Sequence, residues 1–219
     1  MKHKIKAVFF DLDGTLVNSI YDIAGAMNYA LEQLGFPTFT VEQYDHMVGN
    51  GMVKLCQRAL PAGQEDKLDA LLAGYKARYL SHCCDETRVY DGVPEMLAAL
   101  RKAGLKLALI SNKPQEQTDR VAGHYLPGMV DLAYGQREPF PVKPDPACFR
   151  FVAETLGVKP EEVLYCGDSA VDIQFAQNAG AESLGCIWGF RGRKELEDAG
   201  AQHLAESPRE LGEIALTLC

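Results

Sequence analysis

The residues best suited to chemistry fall into four small clusters, each at or beyond the end of an apolar run. The clusters are Asp11 with Asp13, Ser111 with Asn112, Lys143 before Pro144 and Asp145, and Asp168 with Asp172. Three carboxylates brought together (Asp11, Asp13 and Asp168) would repel one another strongly. A hard divalent cation with oxygen ligands relieves that repulsion, and Mg²⁺ suits a site with few carboxylates and a phosphate. The acidic residues therefore predict a Mg²⁺ site.

The other polar groups in the clusters suit an anion. Lys143 adds a positive charge, Ser111 offers a hydroxyl, and a helix predicted soon after Ser111 would begin with free backbone N–H groups, where phosphate binds readily. Carboxylates beside such a clamp can serve as a nucleophile and as a proton carrier. Taken singly, each residue also has a structural explanation: a turn-forming Asp, a Ser N-cap or a solvated Lys.

The elements that must position these clusters alternate between strand and helix. Apolar runs predict strands at residues 6–10, 105–110, 130–134, 163–166 and 183–187, and helical periodicity appears between them. This alternation predicts a three-layer, Rossmann-like α/β core with a parallel sheet. Ligands bind beyond the carboxyl ends of the strands in such sheets, so the four clusters should converge there.

A long helical stretch interrupts the alternation after the first strand. Residues 17–88 show helical periodicity and no convincing strand, and they are too many for a simple crossover. We predict an α-helical cap domain at 17–88, inserted into a catalytic core formed by 1–16 and 89–219. Within the core, the basic run at 191–194 is expected to be a solvated loop.

Composition narrows the classes of partner. The chain has 219 residues, 47% of them hydrophobic, and a formal net charge of −8. An acidic chain without a basic cluster argues against nucleic acid as the main partner. No apolar run is long enough for a signal peptide or a membrane span, and seven irregularly spaced cysteines favour free thiols. The expectation is a cytoplasmic monomer or homodimer that acts on a small phosphorylated metabolite.

The ordered set of clusters resembles a known family. The Asp-x-Asp-Gly-Thr at 11–15, the Ser at a strand end, the distant Lys143 and the segment from Gly167 to Asp172 resemble the four motifs of the haloacid dehalogenase superfamily. The resemblance spans almost the whole chain. The helical insert after the first motif resembles the helical-cap subgroup of that superfamily.

This resemblance implies a role for each matching residue. Asp11 would be the nucleophile that forms an aspartyl-phosphate, and Asp13 would protonate the leaving oxygen and then accept a proton from water. Asp11, the backbone carbonyl of Asp13, and Asp168 would hold Mg²⁺, whereas Asp172 would support that site or position Lys143. Ser111 and Lys143 would bind the transferring phosphoryl group, and Thr15 and Asn112 would contact it or fix the loops. An acid at position 13 favours phosphate over halide chemistry, because an alcohol leaving group needs a proton.

The predicted cap bears on the substrate. Gly49, Asn50 and Gly51, followed by Arg58, resemble the cap of phosphoglycolate phosphatases, where a turn close to the site would select the group attached to phosphate. Those phosphatases often carry a basic residue and Asn in the last motif, and Ala170-Val171 stands here. The alternatives are phosphatases for pyrophosphate, nucleotides or sugar phosphates, and a phosphosugar mutase. A catalytically silent binding module is disfavoured because all four motifs are intact.

Overall fold

A parallel β-sheet forms the centre of the computed structural model, which describes residues 4–219. The strands are β1 (Ala7–Phe10), β2 (Val17–Asn18), β3 (Arg88–Val89), β4 (Lys106–Pro114), β5 (Leu132–Gln136), β6 (Val163–Gly167), β7 (Glu182–Cys186) and β8 (His203–Ala205). The helices are α1 (Ile20–Gln33), α2 (Val41–Tyr44), α3 (Met52–Ala59), α4 (Leu68–His82), α5 (Val93–Lys102), α6 (Gln115–Tyr125), α7 (Ala147–Thr155), α8 (Ala170–Ala179), α9 (Gly192–Asp198) and α10 (Pro208–Thr217). Six strands form one sheet in the order β5-β4-β1-β6-β7-β8, and each neighbouring pair is parallel. The predicted parallel α/β sheet is confirmed.

Helices cover both faces of this sheet, because successive side chains of a strand point to opposite sides. In β1, Ala7 and Phe9 pack with α7 and α8 on one face, while Val8 and Phe10 join α5, α6 and α10 on the other. All four side chains are buried, as expected of a central parallel strand. The core therefore has the three layers that the alternation predicted. Among the residues described, no helix has the length and apolar character to cross a membrane.

The sequence prediction missed the shortest strands, β2, β3 and β8. The expectation of no strand between 17 and 88 fails at both ends, since Val17 pairs with Val89 and Asn18 with Arg88 in a two-residue antiparallel ribbon, β2–β3. The sixth sheet strand, β8, was not predicted either. Strands of two or three residues are too short to show an alternating pattern.

The helical stretch lies between the two halves of the ribbon. Helices α1 to α4 pack through buried residues such as Met27, Leu31 and Leu71. Asp22, buried at the start of α1, accepts hydrogen bonds from Glu86 N (2.9 Å), Thr87 N (2.9 Å) and Thr87 Oγ1 (2.7 Å). The entry and exit of the helical segment are thus joined side by side. Its division from the core as a separate cap domain at 17–88 stays a prediction, and the proposed boundary falls inside β3.

The end of β4 differs from the prediction in a way that affects the site. The strand was predicted to stop at residue 110, but it continues to Pro114, and its pairing with β5 is irregular between Ile110 and Pro114. Helix α6 then begins at Gln115 with Pro114 as its N-cap, so Ser111 is not the N-cap. An irregularity of this kind redirects side chains at the end of a strand. Ser111, Asn112 and Lys113 are consequently presented by extended backbone rather than by a helix start.

Candidate active site

Three buried carboxylates meet at the carboxyl ends of the central strands. Asp11 directly follows β1, Asp168 directly follows β6, and Asp172 lies in the first turn of α8. Each offers an oxygen within 4.8 Å of the others, and all three side chains are buried. Because β1 and β6 are adjacent and parallel, the fold brings these residues together from positions about 160 apart in sequence.

Lys143 lies against this cluster. Its Nζ is 3.0 Å from Asp11 Oδ1 and 2.7 Å from Asp172 Oδ1, and it donates to the Tyr165 hydroxyl at 3.0 Å. Burial alone would lower the pKa of Lys143, but the negative charges of Asp11 and Asp172 outweigh it and hold this pKa above its usual value. Lys143 therefore stays charged. The solvated-lysine alternative does not apply, since the side chain is 2% exposed.

Asp172 is committed to holding Lys143 and the start of α8. Its Oδ2 accepts hydrogen bonds from Ser169 N (3.2 Å) and Ser169 Oγ (2.6 Å), and its Oδ1 pairs with Lys143. Both oxygens thus have protein partners. Of the two roles considered for Asp172, this arrangement agrees with positioning Lys143.

Asp11 and Asp168 are the carboxylates with room for a cation. Burial raises the pKa of Asp11 to about 6, even though Lys143 acts to lower it. No residue in the described range 4–219 donates an aligned hydrogen bond to Asp11 Oδ1. Burial also raises the pKa of Asp168 well above its ordinary value, and its Oδ2 accepts a hydrogen bond from Phe190 N at 2.8 Å. Two buried carboxylates this close together fit a hard cation such as Mg²⁺.

Glycines let the backbone pack directly against Asp168. Gly14 has a φ of +80°, and a Cβ there would overlap the Asp168 carboxylate and approach Phe190. A Cβ on Gly189 would overlap the Asp168 side chain and the Gly14 carbonyl oxygen in the same way. The glycine after Asp13 is therefore required both by the left-handed turn and by the close approach of the metal-site carboxylate.

Asp13 points away from the carboxylate cluster. Its Oδ1 accepts a hydrogen bond from Ser19 Oγ and lies 2.9 Å from Lys113 Nζ. Lys113 also donates to the Tyr79 hydroxyl at 2.6 Å, and its ammonium lies 4.4 Å from the centre of the Tyr79 ring. The predicted contribution of the Asp13 backbone carbonyl to a metal site and the predicted proton transfer by its side chain both stay predictions.

Asn112 connects three parts of the site. Its amide Nδ2 donates to Gly49 O (3.0 Å) and Lys143 O (3.2 Å), and its Oδ1 accepts from Lys143 N at 2.7 Å. It thus ties the β4 end to the Lys143 loop and to the turn before α3. Ser111 lines the cavity, and its hydroxyl accepts only a long hydrogen bond of 3.3 Å from Lys113 N among the described contacts.

Thr15 and Asn50 lie outside the cavity lining. Thr15 is fully buried, its Oγ1 has no partner among residues 4–219, and its carbonyl accepts from Trp188 Nε1 at 3.0 Å. Asn50 accepts a hydrogen bond from Arg58 Nη2 at 2.7 Å, whereas its neighbours Gly49 and Gly51 do line the cavity. Thr15 fixes the loop after Asp13, and Asn50 fixes the turn.

The cavity lies between the strand ends and the helical segment. Its floor contains Asp11, Asp13, Ser111 and Asp168, and its roof includes Ile23, Met52, Leu55 and Tyr75. The roof residues come from α1, α3 and α4, so an apolar surface covers a charged one. Such an arrangement excludes water from the groups that react.

Sequence reasoning did not select Lys113, Gln117 or Arg191, and these residues also line the cavity. Lys113 was within reach of the sequence argument, because it follows Ser111 and Asn112 at the same strand end. Arg191 was expected in a solvated loop, and that expectation is wrong: its side chain is 12% exposed and donates to Val48 O at 2.7 Å. No local pattern marks Gln117 or Arg191, since only the tertiary fold brings α6 and the loop after β7 to the site.

Comparison with known proteins agrees with this arrangement. Residues 8–186 match the model of the family described as haloacid dehalogenase-like hydrolase. A phosphoglycolate phosphatase of Pseudomonas putida is 37% identical over 93% of this chain and 74% of its own length. One of Chromobacterium violaceum is 35% identical over 98% of this chain and 97% of its own. The crystal structure of a phosphoglycolate phosphatase candidate from Lactobacillus delbrueckii subsp. bulgaricus superposes with a TM-score of 0.93 at 31% identity, covering 97% of this chain and 98% of that one. The family match over most of the chain, together with these relatives, establishes that the chain belongs to the haloacid dehalogenase-like hydrolases.

Proposed function

We propose that this chain is a Mg²⁺-dependent phosphatase that hydrolyses phosphoglycolate through an aspartyl-phosphate on Asp11. One observation carries the proposal: Asp11 and Asp13 face the same cavity, Lys143 lies 3.0 Å from the Asp11 carboxylate, and the Asp13 carboxylate stands apart from the acidic cluster. A nucleophile, a cation beside it and a separate proton carrier are the groups that phosphoryl transfer requires.

The donor set supports a resident Mg²⁺ ion. Asp11 and Asp168 bring buried carboxylate oxygens close together, and the Asp13 backbone carbonyl adjoins Asp11 in sequence, so these three residues would hold the ion. When bound, Mg²⁺ supplies positive charge that neutralises the carboxylates and the phosphoryl oxygens. Asp172 would position Lys143 rather than bind the ion, because both of its carboxylate oxygens already accept hydrogen bonds.

The first half of the reaction uses residues on both sides of the phosphate. A carboxylate oxygen of Asp11 attacks phosphorus while the bond from phosphorus to the ester oxygen breaks. Lys143, held by Asp172 and Tyr165, and the Ser111 hydroxyl bind the phosphoryl oxygens. Asp13 gives its proton to the departing oxygen, so that glycolate leaves as a neutral alcohol at that end.

The second half returns the enzyme to its starting state. Asp13, now ionised, accepts a proton from a water molecule as that water attacks phosphorus. The bond from phosphorus to Asp11 breaks, and inorganic phosphate leaves. Ser19 and Lys113 hold the Asp13 side chain in place for both steps. The apolar roof contributed by α1, α3 and α4 keeps other water molecules away until glycolate has left.

The choice of phosphoglycolate rests on relatives and on the site. Five relatives named phosphoglycolate phosphatase align over 89–98% of this chain and are 33–37% identical to it. The site is covered by the helical segment, which agrees with a small substrate. All seven cysteines are free thiols, which supports our placing the enzyme in a reducing cytoplasm.

A phosphate-release assay tests the proposal. Purified protein with Mg²⁺ is given phosphoglycolate, pyrophosphate, nucleotides, sugar phosphates and an aryl phosphate, and phosphoglycolate should show the highest kcat/KM. Asp11→Asn should abolish release from every compound. A different preferred substrate would refute phosphoglycolate and leave the chemistry standing, and release by Asp11→Asn equal to wild type would refute the nucleophile.

A further inference from the structure

We propose that Lys113 and Gln117 form a second anion subsite, separate from the phosphate clamp, that binds the carboxylate of the substrate's leaving group. This inference rests on the proposed function and names the feature that selects a carboxylate-bearing phosphomonoester. In the scheme above Lys113 holds the Asp13 side chain and Gln117 has no role, and neither residue binds the phosphoryl group. Both line the cavity that contains Asp11 and Asp13.

Lys113 supplies the positive charge of this subsite. Its side chain is 4% exposed, and its Nζ donates to the hydroxyl of Tyr79 in α4. A buried ammonium has three donors to satisfy. Two of them have partners in Asp13 Oδ1 at 2.9 Å and Tyr79 OH at 2.6 Å. The remaining donor is available to a ligand in the cavity.

Gln117 provides an independent sign of a missing ligand. It lies in the first turn of α6, it is 1% exposed, and its Nε2 has no hydrogen-bond partner among residues 4–219. Leaving a buried amide donor unpaired costs about 1–3 kcal/mol. The same side chain lines the cavity, so an acceptor on a bound molecule would satisfy it. A carboxylate can accept hydrogen bonds from both Lys113 and Gln117.

The position of Lys113 next to Asp13 indicates which part of the substrate would bind at this subsite. In the proposed reaction Asp13 contacts the ester oxygen, and Lys113 Nζ lies 2.9 Å from the Asp13 carboxylate. The carboxylate of phosphoglycolate is separated from its ester oxygen by a single carbon. A cation next to Asp13 is therefore within reach of that carboxylate, whereas Lys143, 3.0 Å from the Asp11 carboxylate, is placed for the phosphoryl group.

The other basic residue of the cavity lining is already engaged. Arg191 donates to Val48 O at 2.7 Å and contacts His46 Nδ1 at 3.0 Å, and Glu195 lies 3.8 Å from its Nη1. Its guanidinium thus connects the loop after β7 to the turn before α3. Among the cavity-lining residues of the described chain, Lys113 is left as the cation with a free donor.

A competing explanation is that Lys113 only orients Asp13. In that case its removal would slow hydrolysis of every phosphomonoester by a similar factor. A carboxylate subsite instead changes the selectivity between substrates that differ only in the carboxylate. Phosphoglycolate and ethyl phosphate form such a pair, since both have a two-carbon leaving group.

The test compares kcat/KM for these two substrates in wild type, Lys113→Met, Gln117→Leu and the exposed control Lys102→Met. We expect the phosphoglycolate-to-ethyl phosphate ratio to fall by about 10- to 100-fold in Lys113→Met, the effect of one charge-assisted hydrogen bond, and by about 5-fold or more in Gln117→Leu. Gln117→Leu leaves the contacts of Asp13 intact, so it separates the subsite from the orienting role. Lys102→Met should keep the wild-type ratio.

Wild-type inhibition gives a measurement that needs no folded variant. Glycolate should inhibit hydrolysis of ethyl phosphate competitively, and ethanol at the same concentration should not. The subsite would be refuted if the phosphoglycolate-to-ethyl phosphate ratio of kcat/KM were equal in wild type, Lys113→Met and Gln117→Leu, or if glycolate did not inhibit. Neither result would contradict the proposed phosphatase activity. If wild type releases phosphate from neither compound, the proposed function fails and the subsite fails with it.

Discussion

Replacing Lys143 by Met removes a cation that lies between two buried carboxylates. Its Nζ is 3.0 Å from Asp11 Oδ1 and 2.7 Å from Asp172 Oδ1, and the side chains of Lys143 and Asp172 are 2% and 1% exposed. Met preserves most of the apolar volume, so the change is chiefly one of charge. Breaking a buried ion pair on one side costs about 3–5 kcal/mol, because the remaining charge has no solvent to stabilise it.

In metal-free buffer we therefore expect Lys143→Met to lower the free energy of unfolding by about 3–5 kcal/mol. For a chain of this length that corresponds to a fall in Tm of about 6–20 °C. Chemical denaturation followed by circular dichroism measures the first quantity, and calorimetry measures the second. Mg²⁺ should restore part of the loss in the variant, because added positive charge near Asp11 replaces some of what Lys143 supplied.

Two further variants identify the cause. Lys102→Met, on the exposed last turn of α5, should change the unfolding free energy by less than about 1 kcal/mol. The double variant Lys143→Met/Asp172→Asn should be destabilised by less than the sum of the two single variants, since it removes both partners of the ion pair. A loss below about 1 kcal/mol in metal-free Lys143→Met would refute the reasoning that this lysine stabilises buried charge.

The other two predictions concern Gly14 and Asp11. Gly14→Ala places a Cβ against the Asp168 carboxylate at a φ of +80°, so phosphate release should fall by about 100-fold or more. Gly104→Ala has a similar φ of +85° with open space around it and should keep wild-type activity, so equal activities of the two variants would contradict the steric argument. Asp11→Asn tests the pKa of Asp11, which burial raises from 3.8 to about 6. A carboxyl group whose pKa is higher in the folded state favours folding at low pH and loses that contribution as the pH rises through about 6. In metal-free buffer, the unfolding free energy of Asp11→Asn minus that of wild type should therefore increase from about pH 4 to pH 7, by on the order of 3 kcal/mol. A difference that does not change with pH would contradict the raised pKa of Asp11.

The order and chemistry of the four clusters are properties of the sequence alone. Apolar runs that end in Asp11, Ser111 or Asp168 indicate strands followed by functional side chains, because parallel strands in a three-layer core are buried on both faces. Helix α8 begins after Ser169 and ends before Gly180, residue types that are typical of the two ends of a helix. Local patterns therefore sufficed for five of the six strands of the sheet and for the choice of Asp11, Asp13, Lys143 and Asp168 as candidates.

Contacts between distant segments could be decided only by the tertiary structure. The pairing of Asp172 with Lys143, the turning of Asp13 toward Lys113 and Ser19, and the engagement of Arg191 with the turn before α3 join residues far apart in sequence or separated by a loop. Two-residue strands such as β2 and β3 exist because their ends are held together, as by Asp22 and Thr87, and not because of their own periodicity. The sequence determines which groups can react, because residue chemistry and local pattern are contained in it. Long-range packing determines which of these groups face each other.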